Sequence, residues 1–160
     1  MQGSCMKRED RLIYLVFTAR QKLRNYLTNL MQAGGLRITP SQTGVLFLLK
    51  QKDGRTMTEL SQLLGADNSS MTGLIDRLEK SGFVRRQASP GDRRALRIHI
   101  TPDGLEEVGK AGAVIKRVND EIKAGHSDEE IAAFVKILGS FSSKFNRNDS
   151  GQQGDSGPLE

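Results

Sequence analysis

The sequence predicts a mainly α-helical protein with one small β-hairpin, an α+β arrangement in which the hairpin interrupts a run of six helices. Three observations predict it. Apolar residues recur at three- and four-residue steps over most of the chain, the spacing of a helix face. That period gives way once, between Phe83 and Ile100, to two-residue alternation around a Ser-Pro-Gly turn. Helix start signals, a Ser or Thr with Glu or Gln three residues on, stand ahead of three of the helical stretches.

Taken in order, Leu12, Leu15, Val16, Ala19, Leu23, Tyr26, Leu27 and Leu30 form one face of a long first helix that ends near Gly34-Gly35. Thr39-Pro40-Ser41-Gln42 supplies a cap, a proline at the first helical position and a capping-box Gln. The second helix then runs to about Gln51, with Val45, Leu46, Leu48 and Leu49 inward, until Asp53-Gly54 breaks it. Thr56 to Glu59 is a second capping box and opens a short third helix with Leu60, Leu63 and Leu64 inward. Gly65-Ala66-Asp67 makes the turn into a fourth helix, Asn68 to Lys80, whose inward set is Met71, Leu74, Ile75 and Leu78. Phe83 to Gln87 reads as a strand, Ala88 to Asp92 as a turn, and Leu96, Ile98 and Ile100 as the apolar side of a returning strand. Thr101-Pro102 begins a fifth helix carrying Leu105, Val108, Ile115, Val118 and Ile122. Ser127 to Glu130 caps a sixth, carrying Ile131, Phe134, Val135, Leu138, Phe141 and Phe145.

This order defines a winged helix-turn-helix over residues 36–101, flanked by a helical region over 8–35 and 102–146 with more apolar surface than a small core needs. That surplus suits a dimer interface. Residues 1–7 and the polar, Gly-rich 147–160 are expected to be disordered.

Composition narrows the function. With 36% hydrophobic and 27% charged residues in 160, the chain suits one ordinary globular domain. No apolar run approaches the roughly 20 residues of a membrane span, and the first residues lack the apolar core of a secretion signal. A lone cysteine, Cys5, forms no internal disulfide and fits a reducing cytoplasm. It reads as an incidental terminal thiol, with a redox switch as the alternative. His99 and His126 have no ligand-spaced neighbours, so neither a metal nor a cofactor is expected. There is no phosphate-binding Gly loop, nucleophile elbow or Cys-His set, which argues against an enzyme.

The net charge is +5 and the pI about 9.6. The excess is local: Arg85, Arg86, Arg93, Arg94 and Arg97 face one acid, Asp92, giving +4 in thirteen residues. Guanidinium groups along a projecting hairpin suit the negative potential of a DNA minor groove. In the fourth helix the inward set leaves Ser69, Ser70, Thr72, Gly73, Asp76 and Arg77 outward, where short hydroxyl side chains permit close approach to bases and phosphates. The expected partner is double-stranded DNA. A protein that coats DNA without sequence preference stays open as the alternative to a sequence-specific regulator.

Several stretches carry a resemblance. Leu60 to Leu64, Met71 to Arg86, Gly91 to Ala95 and Ile100 to Gly104 resemble the multiple-antibiotic-resistance regulator (MarR) family over roughly residues 10–146. The resemblance implies a winged-helix homodimer on a pseudo-palindromic operator, usually a repressor released by a small phenolic ligand or by oxidation. It implies that Arg94 reaches the minor groove and that Asp92 orients it through a charge-assisted pair. It places Asn68, Ser69, Ser70 and Thr72 at the start of the recognition helix and Ser41 at a phosphate-contacting position. A small aromatic or phenolic effector would sit between the DNA-reading lobe and the dimer helices. Phe17, Tyr26, Phe47, Val108 and Ile115 offer an apolar lining there, and Arg20, Lys22 or Arg24 a partner for a carboxylate.

Overall fold

The computed structural model describes residues 11–89 and 92–145; of Ser89 and residues 92–95 it describes the backbone only. The elements run α1 (Leu12–Ala33), α2 (Pro40–Gln51), β1 (Arg55–Thr56), α3 (Met57–Leu64), α4 (Asn68–Lys80), β2 (Val84–Ser89), β3 (Asp92–Ile100), α5 (Pro102–Lys123) and α6 (Asp128–Phe145). The chain divides into two compact units, 1–118 and 119–160. No helix among the described residues is long and apolar enough to cross a membrane.

Local chemistry explains most boundaries. Thr39 and Thr56 each accept the N–H of the residue three positions on, while the side chain of that residue (Gln42 or Glu59) takes the N–H of the threonine. Both threonines lie in extended backbone, where an N-cap belongs. Ser127 and Glu130 repeat the same exchange at the start of α6. Gly65 ends α3 with φ 59°, a left-handed turn that costs glycine least.

The first unit encloses the core. Val45, Leu46 and Leu49 of α2, Leu60 of α3, Met71, Ile75 and Leu78 of α4, Phe83, Ile98 and Val108 have at most 1% of their surface exposed. Burying such side chains contributes roughly 1.5–3 kcal/mol each, which fixes α3 and α4 against α2. The three strands form one antiparallel sheet in the order β1-β3-β2. The hairpin pairs Val84 with Ile100 and Arg86 with Ile98, and its register shifts between Ala88 and Ser89 on the way to the Ser89–Asp92 pair. The strands therefore run on through most of the stretch expected as a turn, 88–92.

β1 is a strand the sequence reading did not anticipate. Arg55 pairs with Ile98 and Thr56 with Arg97, so a two-residue segment anchors the base of the hairpin. Asp53 reinforces it by accepting the Ile100 N–H at 2.9 Å and lying 2.8 Å from His99 Nδ1. Burial of the Asp53 carboxyl opposes ionisation, but these bonds and the Gly54 N–H outweigh it and lower its pKa.

The start of α5 is as tightly specified. Thr101 donates its hydroxyl to the Gly82 carbonyl and accepts the Gly104 N–H. A Cβ on Gly104 would stand 2.2 Å from the Phe83 carbonyl oxygen, so only glycine fits there. Glu107, one turn on and buried, accepts the Arg37 backbone N–H, and the Arg37 guanidinium lies 4.7 Å from the centroid of the Phe83 ring.

Several residues on the apolar faces read from the sequence are exposed. Leu63 and Leu64 of α3 stand at the surface, as do Leu12, Leu15 and Leu23 of α1, Leu96 of β3, and Leu105 and Ile122 of α5. In the second unit α6 has no buried residue; Phe134, Val135, Ile137, Leu138 and Phe145 are all exposed. Phe141 and Phe145 meet edge to face at 5.4 Å between ring centres.

Candidate nucleic-acid interface

The face of α4 begins at Asp67, which lies in extended backbone and caps the helix by accepting the Ser70 N–H at 2.7 Å. Its carboxylate also takes the hydroxyls of Ser69 (2.6 Å) and Ser70 (2.8 Å). The Ser69 hydroxyl first, then the Ser70 N–H and hydroxyl, hold the Asp67 carboxyl well below the usual carboxylate range. One turn on, the Thr72 hydroxyl donates to the Asn68 carbonyl at 2.8 Å. Each of these three hydroxyls commits its proton inside the helix, and its remaining capacity toward a partner is as an acceptor.

Asn68, Ser69, Ser70, Thr72 and Arg77 are all exposed on α4. The Arg77 guanidinium folds back over Gly73, where an added Cβ would lie 3.4 Å from its Nη1. Ser41, exposed in the first turn of α2, shares one open concavity of roughly 430 Å³ with Ser69, Ser70, Gly73, Leu74 and Arg77. The structure thus brings Ser41 and the recognition-helix residues together although almost thirty positions separate them in sequence.

The hairpin arginines divide into different roles. Arg85 is exposed. Arg86 departs from the expectation of an outward cation: its Nη2 lies 2.5 Å from Asp76 Oδ1, its Nη1 bonds Glu79, and its backbone N–H donates to Glu79 Oε1 at 2.9 Å. Arg97 also turns inward, donating to the Gly54 carbonyl at 2.7 Å. The side chains of Asp92, Arg93 and Arg94 lie outside the described residues, as does Cys5. Sequence reasoning placed Asp76 on the outward face without a role, and missed Asp67 and Glu79 as parts of this surface. A Ser-Ser pair two and three residues after an aspartate was a readable signal for Asp67.

Among the described residues no group of three or more His, Cys, Asp or Glu could hold a metal ion. Of the apolar residues expected around an effector, Val108 is buried in the core and Phe17 is well exposed.

A helix-turn-helix whose second helix exposes short polar residues, followed by a hairpin anchored in a three-stranded sheet, defines a winged helix-turn-helix protein. The comparisons agree. The MarR family model matches residues 38–96. An uncharacterised HTH-type transcriptional regulator of Bacillus subtilis, YsmB, is 32% identical over 130 residues, 81% of this chain and 85% of the relative. A putative transcriptional regulatory protein for the hcr operon of Thauera aromatica is 28% identical over 101 residues, 63% of this chain and 61% of the relative. In fold, the PcaV transcriptional regulator of Streptomyces coelicolor, solved with its natural ligand, superposes with a TM-score of 0.79 at 22% identity, covering 91% of this chain and all of that one. The chain belongs to the MarR family of transcriptional regulators.

Proposed function

We propose that this regulator acts as a homodimer on a pseudo-palindromic DNA operator, as a cytoplasmic repressor released by a small aromatic or phenolic effector. In this reading α4 of each protomer enters the major groove, with Asn68, Ser69, Ser70, Thr72 and Arg77 toward bases and phosphates, and Ser41 meets a phosphate at the N-terminus of α2. Arg85 and Arg93 lie along the backbone, and Arg94, oriented by Asp92, enters the minor groove. Residues 36–101 form the DNA-reading domain; the helices of 8–35 and 102–146 form the dimer.

The observation that carries the reading is the concavity shared by Ser41 and the exposed face of α4. The α2 N-terminus and the Arg77 guanidinium supply donors and positive charge there, as an approaching phosphate requires, while the α4 hydroxyls are left to accept from base edges. The uncovered apolar side chains of α1 and α6 support the dimer. Symmetric half-sites then follow from a two-fold protein.

Selection of bound fragments from random DNA, followed by footprinting, tests the function. A discrete protected palindrome supports it; uniform coverage would mean a protein that coats DNA without reading it. Millimolar salicylate, as a probe effector, is expected to lower operator affinity without dissociating the dimer. No response to a broad panel of aromatic acids would remove that part of the proposal.

A further inference from the structure

We propose that Arg86 is a positioning residue of the DNA-reading surface, masking the Asp76 carboxylate on the outer face of α4 without itself touching DNA. The inference rests on the DNA-binding reading above and assigns one side chain its part in it.

Asp76 is a liability where it stands. It follows Ser69 by seven residues and Thr72 by four, spacings that put all three on one face of α4. Its side chain is 56% exposed. A bare carboxylate on that face would repel every phosphate the helix approaches. The Arg86 guanidinium, 24% exposed and so set beneath it, closes on Asp76 Oδ1 with Nη2 and on Glu79 with Nη1. The planar fork suits this bridging of two carboxylates, which a lysine point charge does not reproduce.

The backbone fixes the fork in place. Glu79 holds the Arg86 N–H with its other carboxylate oxygen, and Arg86 pairs with Ile98 in the regular part of the hairpin. Strand alternation sends the neighbouring Arg85 to the opposite side of the sheet, where it is exposed. Two adjacent arginines of one basic cluster thus do opposite things: Arg85 offers its charge outward, and Arg86 cancels acid on the helix. Partly exposed ion pairs contribute little to stability, so removing this one should register in binding rather than in folding.

The test measures affinity and its salt dependence on a short mixed-sequence duplex and on the duplex selected from random DNA, with thermal unfolding of each variant alongside. Arg86→Ala is expected to weaken binding to both by about tenfold with an unchanged salt slope, since no phosphate contact is lost. Adding Asp76→Asn to Arg86→Ala should restore affinity to within about threefold of wild type, a coupling that a direct contact would not show. Asp76→Asn alone should change little. Arg85→Ala should reduce the salt slope by about one per site, and Asp76→Asn should not rescue it. A slope loss in Arg86→Ala equal to that of Arg85→Ala, without rescue, would overturn the inference and make Arg86 a DNA contact. If Arg86→Ala does not fold, the single Asp76→Asn decides: a gain of about tenfold would show that the wild-type carboxylate is unmasked, and an unchanged affinity supports the mask. A wild-type protein that binds neither duplex would remove the DNA-binding reading itself. Steep, salt-dependent wild-type binding matched by every Arg86 variant would remove only the role given to Arg86.

Discussion

The interior of the first unit and the helix that ends the described chain use the same kinds of side chain to different ends. Around Leu46, Ile75 and Phe83, apolar residues are sealed completely by neighbours from α2, α3, α4, the sheet and α5. Along α6, Phe134, Val135 and Leu138 recur at helix-face spacing and stay exposed. Capping does not distinguish them, since α6 starts on the same reciprocal Ser–Glu exchange that Thr39 and Thr56 make. What differs is whether other elements of the chain close over the apolar face. An interior of this kind is sufficient in itself, while a face like that of α6 is complete only when something else covers it. In our reading the cover is a second copy of the chain.

The strongest way to break this comparison is to remove residues 127–160. The expected outcome is a monomer or an aggregate in analytical ultracentrifugation, with loss of operator binding; a well-behaved dimer would show that α6 is not the interface. Within the interior, Phe83→Ala should cost about 3–5 kcal/mol in urea unfolding, because a fully buried ring is lost and little can collapse into its place. Gly104→Ala should cost less, about 1–3 kcal/mol, as the start of α5 moves off the Phe83 carbonyl. A neutral Gly104→Ala would mean that α5 approaches the hairpin less closely than described. Arg94→Ala should sit at the other extreme, with stability changed by no more than about 0.5 kcal/mol and operator binding abolished. Asp92→Ala should also weaken binding, although it removes a negative charge; tighter binding would remove its orienting role.

The smallest effect concerns the cap of α4. The Asp67 pKa is depressed in the folded state, so its contribution is present above the ordinary aspartate value of 3.8 and is lost as pH falls toward the folded value. The stability difference between wild type and Asp67→Ala should therefore be constant near neutrality and shrink below pH 3.8. A difference independent of pH would mean that the charged form is not what caps the helix.

The same contrast explains what was legible in the sequence. Capping boxes at Thr39, Thr56 and Ser127 are local, and they gave the helix starts directly; α4 was found with its observed bounds. β1 escaped because two residues carry no periodicity and Thr56 already served as a cap. Leu63 and Leu64 were expected inward because helical spacing shows that a face is apolar, not that anything covers it. The division between Arg85 and Arg86 was illegible for another reason. Identical neighbours acquire different partners only through strand register and the placement of Asp76 and Glu79, ten and seven residues away in sequence.

Thr56 belongs at once to the sheet, opposite Arg97, and to α3, whose first turn it caps. Thr56 thus ties the hairpin directly to the helix-turn-helix, and the Arg86 bridge to Asp76 and Glu79 ties it a second time. On the DNA-binding reading such a joint is a fixed calliper: the span from α4 to the base of the hairpin is set before DNA arrives. Duplexes whose twist or groove spacing differs from that span would have to deform to fit, and the protein would then sense the pitch of the double helix as well as its bases.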